Sequence, residues 1–131
     1  MEYLIGVLLS VAVAGLAMAV GFDRDRAFYP TVVIVVASYY VLFAAEEAST
    51  RTLMIEIAVA SGFLILAVVG FRKSFWVVPV ALVAHGVFDF FHHRLIFNPG
   101  VPRWWPGFCL AFDVVLGIWL TVRLRTLPTA V

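Results

Sequence analysis

Charge is scarce in this sequence. Only 13% of its 131 residues are Asp, Glu, Lys or Arg, while 64% are hydrophobic. Soluble domains carry roughly 25% charged residues, so the deficit excludes a soluble globular protein and makes the lipid bilayer the expected partner. Cations are few as well. Nine Lys and Arg stand against eight Asp and Glu, scattered singly or in pairs, and no basic stripe exists of the kind a phosphate backbone requires. Nucleic acid is therefore not an expected partner. Cys109 is the one cysteine, which rules out an intramolecular disulfide or a thiolate zinc site. No Gly-rich cradle accompanies the charged stretch "DRDR", so it is not a phosphate motif. The period-two alternation of a membrane barrel is also missing.

What the sequence has in abundance is long apolar runs. About 30 Å of hydrocarbon requires roughly 20 helical residues, and runs near that length extend from Tyr3 to Val20, Ala27 to Ala45, Leu53 to Gly70, Phe75 to Phe97 and Trp105 to Leu124. The expected fold is all-α, one polytopic membrane helical bundle over residues 1–131 with five transmembrane helices. Short joints ("GFDRDRAFYP", "EEASTR", "FRKS", "NPGVPRWWPG") leave no room for a second domain and force sequential helices antiparallel. The Ala17-Met18-Ala19 stretch resembles a signal-peptidase site, yet Glu2 stands where a signal begins with Lys or Arg, so the first run reads as a retained helix.

An odd number of spans puts the termini on opposite faces. Arg51, Arg94 and Arg103 fall on one face, and Arg24, Arg26, Arg72, Lys73, Arg123 and Arg125 on the other. The positive-inside rule then predicts the N-terminus outside and the C-terminus in the cytoplasm. Gly6, Ser10 and Ala14 form a small-residue ridge suited to close helix packing, within one chain or across a homo-oligomer.

Against this apolar background, "AHGVFDFFHHRL" carries all three histidines and an aspartate. His85, Asp89 and His92 lie four and three residues apart, so at 100° per residue they share one helix face. Glu56 lies about one turn inside the third run and Asp113 about two turns inside the fifth, in the same half of the bundle. An ionisable residue at the bilayer centre costs about 2.5–3.5 kcal/mol on insertion scales, and such groups normally face one another or a wet cavity. Glu56, His85, Asp89, His92 and Asp113 are therefore the candidate site.

Three chemical readings fit these residues. Glu56 or Asp113 would act as proton donor or acceptor beside the histidines. Alternatively, His85, Asp89 and His92 would bind a divalent metal, completed by Glu56 or Asp113, a mixed N/O set suited to zinc, iron or manganese. In the third reading the groups are interhelical glue, worth around 0.6 kcal/mol apiece. Glue does not require every deep acid to gather in one half. Pro79 is expected to interrupt the fourth helix before His85, and Trp104 and Trp105 to belong to an interfacial aromatic belt. Tyr39 and Tyr40 read as ordinary helix residues, and "NPGVP" as a turn beside the cluster.

"EEASTR" and "HGVFD" resemble the Glu-Glu-x-x-x-Arg and His-x-x-x-Asn/Asp elements of the CAAX-type intramembrane endopeptidases. The resemblance covers about a dozen residues. It implies that Glu46 or Glu47 activates water and that His85 with Asp89 positions it. The separate Phe-x-x-x-His helix of that family has no independent counterpart, because Phe88 to His92 overlaps the last element. More broadly, "DRDRAFYPTVVIV" and "NPGVPRWWPGFCLAFDVV" resemble small bacterial polytopic membrane proteins, which implies a bacterial inner membrane and no particular chemistry. The expected function is an outward-facing Glu/Asp/His pocket that binds a small lipophilic or lipid-derived molecule and holds groups able to transform it. The alternatives are a binding or assembly subunit without chemistry and a proton-coupled transporter subunit.

Overall fold

The computed structural model describes residues 1–126, which form five α-helices and no strand. The helices are α1 (Glu2–Val20), α2 (Phe28–Glu47), α3 (Thr50–Arg72), α4 (Val77–Leu95) and α5 (Trp105–Thr126), with one turn of 3-10 helix at Phe22–Arg24. Each expected run is a helix, and the shifted ends have local causes. α3 begins at Thr50 rather than Leu53 because Ser49 caps it, its hydroxyl accepting from the Thr52 N–H at 3.2 Å. α4 stops at Leu95 rather than Phe97, with Ile96 already extended. Because α4 begins at Val77, Pro79 falls in its first turn, where a missing N–H breaks no intrahelical bond. The expected interruption at Pro79 is therefore corrected: it starts the helix instead of breaking it.

α1, α2, α3 and α5 are each long and apolar enough to cross a membrane. α4 has comparable length, but His85, Asp89, His92, His93 and Arg94 crowd its second half. Burial compensates for that polarity. Val78, Ala81, Leu82, His85, Asp89 and His92 are enclosed on α4, whereas α3 buries only Glu56, Ala67 and Gly70. The outward surface is correspondingly oily, with Leu8 59%, Ile65 62% and Val80 67% exposed. Such a surface suits an apolar surrounding and would be an aggregation hazard in water. The molecule is a membrane-type helical bundle.

α5 packs most extensively against α4 on one side and α1 on the other, α2 packs on α3, and α3 and α2 close onto α4. Small residues set the closest approaches. A Cβ at Gly86 would stand 3.1 Å from the Asp113 Cβ, and one at Gly117 would stand 3.1 Å from the Pro79 carbonyl oxygen. Gly86 brings α4 and α5 together at the depth of the polar residues, and Gly117 does so about one turn further towards the aliphatic end. One end of the bundle is aliphatic, built on Val33, Val78, Leu82, Leu116 and Leu120, and is tied by Arg123 to Asp23 at 2.7 Å and by Arg26 to the Phe71 carbonyl at 2.6 Å. The polar residues occupy the other end.

Candidate intramembrane site

The α4 stripe His85, Asp89 and His92 is at most 1% exposed, as are Glu56 and Asp113. All five candidate residues are thus enclosed, and they sort into two groups. In the deeper group, His85 Nδ1 shares a 2.6 Å hydrogen bond with Asp113 Oδ2 and lies 3.2 Å from Asp89 Oδ2. Gly86 makes this contact possible, since any side chain there would push α5 away from its neighbour His85. Phe63 of α3 stands edge-on to His85, with centroids 4.7 Å apart.

The second group lies one to two turns along α4. His92 Nε2 and Glu56 Oε2 are 2.7 Å apart, and the Asn98 side-chain amide donates to the same carboxylate oxygen at 2.7 Å. Asn98 also donates to the Tyr40 carbonyl at 3.2 Å, while its own side-chain oxygen accepts from the Gly100 N–H. The loop after α4 is thereby fastened to α2 and α3 together. With Glu56 holding one ring nitrogen, His92 keeps Nδ1 for another partner.

Tyr40 separates and connects the two groups. Its ring stacks on His92 and meets Phe88 edge-on at 6.0 Å. Its hydroxyl is buried without a hydrogen-bond partner, and so is Oδ1 of Asp89. Buried polar groups are normally paired, so these orphaned atoms mark the deeper group as incomplete in itself. Tyr40, Phe63 and Phe88 pack against the stripe.

Next to the second group is a cavity of about 470 Å³. Glu2, His92, His93, Asn98 and Arg103 supply its polar lining, and Phe90, Phe97 and Pro106 part of its apolar wall. An imidazole at a cavity wall, backed by a carboxylate, can take up and release a proton beside a bound molecule, and a buried carboxylate pair around one imidazole can hold a cation or share protons.

His85, Asp89 and His92 do not form one ligand group. The residues whose ligand atoms all lie within 4.8 Å of one another are His85, Asp89 and Asp113, while His92 belongs with Glu56. Glu46, Glu47 and His93 are exposed and join neither group. Trp104 is exposed, as an interfacial belt would have it, but Trp105 is buried against Tyr39 and Phe43. Two site residues escaped the sequence reading. Tyr40 looked like helix filler beside Tyr39, and Asn98 like a turn former, although a lone amide just past a histidine stripe was the available signal. No protein-family model, curated protein or solved structure matches the chain.

Proposed function

We propose that this chain is a five-span protein of a bacterial inner membrane, N-terminus outside and C-terminus in the cytoplasm. In this reading its outward-facing cavity binds a small lipophilic or lipid-derived molecule. The 19 residues of α4 measure about 28 Å at 1.5 Å each, close to the hydrocarbon thickness, which supports a fifth span. The aliphatic end carries Arg24, Arg26, Arg72, Lys73, Arg123 and Arg125, which supports its cytoplasmic placement. The bacterial setting rests on the resemblance in "DRDRAFYPTVVIV" and "NPGVPRWWPGFCLAFDVV".

The observation that carries the binding reading is His92 at the wall of the 470 Å³ cavity, held from behind by Glu56 at 2.7 Å. That volume lies within the range of about 300–1,000 Å³ typical of small-molecule sites. Its aromatic and proline wall suits an apolar body, and His92 and Arg103, with Glu2 on the same lining, suit a polar head. Glu56 and His92 are the acid–base pair for any proton transfer to that head, with Asn98 orienting the carboxylate. His85, Asp89 and Asp113 form the polar floor behind them.

Mass spectrometry of small molecules extracted from purified protein tests this. The expected result is one lipophilic species enriched at least about tenfold over bulk membrane lipid and lost from the Arg103→Ala and His92→Leu variants. Wild-type protein carrying only host lipids in bulk proportion overturns it. A second reading, an assembly subunit without chemistry, is favoured by the fact that the bonds cross between helices, His85 to α5 and His92 to α3. Under that reading the wild type carries no enriched species, and only stability responds to substitution. Proton-coupled transport has less support, because the aliphatic core fills the other half of the bundle.

A further inference from the structure

We propose that His85, Asp89 and Asp113 bind one divalent first-row transition-metal ion. The site goes beyond the cavity reading and does not depend on the cavity's occupant. Two carboxylates and an imidazole, each at most 1% exposed, bring their ligand atoms within 4.8 Å of one another. Oδ1 of Asp89 and Oδ1 of Asp113 have no hydrogen-bond partner, and Asp89 Oδ2 meets only the His85 ring nitrogen at 3.2 Å. A native interior seldom leaves two carboxylates with unsatisfied oxygens at one place, and a divalent cation satisfies them together.

Charge leads to the same place. His85 lies 2.6 Å from Asp113 and 3.2 Å from Asp89, so two acids share one imidazole in the interior. An uncompensated buried charge is strongly unfavourable. A doubly charged ion with neutral His85 brings the group to zero net charge. The distances permit it. Ligand atoms around a metal with bonds of about 2.0–2.1 Å sit roughly 3.3 Å apart in a tetrahedron. The 3.2 Å from His85 to Asp89 already matches, and the 2.6 Å from His85 to Asp113 has to open by about 0.7 Å, within reach of a side-chain rotation. Gly86 and the tight α4–α5 contact hold the two ligand-bearing helices at that separation.

The donor set selects the metal class. One imidazole with two carboxylates suits Mn²⁺, Fe²⁺ or Zn²⁺, whereas Mg²⁺ and Ca²⁺ prefer all-oxygen surroundings. Cys109 is buried nearby but lies outside the ligand group, so thiolate ligation is not part of the site. Tyr40, with its unpartnered hydroxyl near Asp89, is placed to hydrogen-bond a ligating carboxylate.

The experiment strips purified full-length protein with a chelator, reloads it with Mn²⁺ or Zn²⁺, and measures bound metal by elemental analysis after gel filtration. About one ion per chain is expected, with affinity reduced at least about 100-fold in Asp89→Asn and Asp113→Asn and unchanged in His93→Ala. Electron spin-echo spectroscopy of Mn²⁺ in the wild-type protein supplies a measurement that needs no variant to fold. Coupling to a single imidazole nitrogen is expected. Folded protein that takes up no metal, metal lost only with His93, or coupling to two imidazoles or none overturns the proposal. Loss of the cavity ligand with metal uptake intact overturns only the cavity reading.

Discussion

Tyr40 lies face to face with His92, the two ring centroids 3.9 Å apart and the planes 9° from parallel. The stack joins α2 to α4, although those helices make fewer direct contacts than α2 and α3 do. It also fills the space between the paired histidine and the buried carboxylates. Tyr40→Phe keeps the ring and is expected to change stability by less than about 1 kcal/mol, whereas Tyr40→Ala opens a cavity and should cost about 3–5 kcal/mol. Thermal unfolding in detergent micelles compares the two. Equal losses would mean that the hydroxyl, not the stack, is what matters.

The α4–α5 seam gives a sharper contrast. At Gly86 a methyl group would meet the Val114 side chain at 3.0 Å and the Leu110 carbonyl oxygen at 3.3 Å, whereas at Gly62 it meets nothing within 4 Å. Gly86→Ala should destabilise by about 1–3 kcal/mol through overpacking. Gly62→Ala should stabilise α3 by up to about 1 kcal/mol. The same unfolding assay reads both, and a harmless Gly86→Ala would show that the seam can yield.

Glu56 and His92 should behave as a coupled pair. Replacing either one with Leu leaves the other polar and enclosed, at an expected cost of about 3–5 kcal/mol. The Glu56→Leu/His92→Leu double variant should recover part of that loss and fall well short of the sum. Additive costs in a double-mutant cycle would contradict the 2.7 Å contact.

Orientation is checked with the cysteine inventory. Cys109 is buried, so a Cys109→Ala background carrying Arg103→Cys or Arg24→Cys places one exposed thiol at either end of the bundle. On intact cells a membrane-impermeant maleimide should label the Arg103→Cys protein and spare the Arg24→Cys protein. The opposite pattern would invert the proposed topology, and labelling of both would deny that the helices between them cross.

Glu56, His85, Asp89, His92 and Asp113 were legible because an ionisable side chain in an apolar helix has few tolerable surroundings. Their division into two groups was not. Helical periodicity puts His85, Asp89 and His92 on one face of α4, but which acid meets which imidazole depends on how far α3 and α5 slide and rotate against it. Gly86 and Gly117 govern that fit, and a glycine in an apolar helix gives no sign of what it touches. Pro79 was misread for a related reason. Its effect depends on whether the helix has already begun, and Phe75 and Trp76 are apolar without being helical. Asn98 was hidden by a turn motif that explained the residue well enough without its second task.

The order of the chain sets a constraint on how the bundle is made. His85 and Asp89 emerge from the ribosome before Asp113, so α4 reaches the translocation channel with Glu56 and Tyr40 already made but before the α5 carboxylate that meets His85. α4 and α5 should therefore partition into the bilayer together, as a hairpin. Nascent chains halted ahead of α5 should keep α4 crosslinked to the channel, and early release of α4 alone would refute that order.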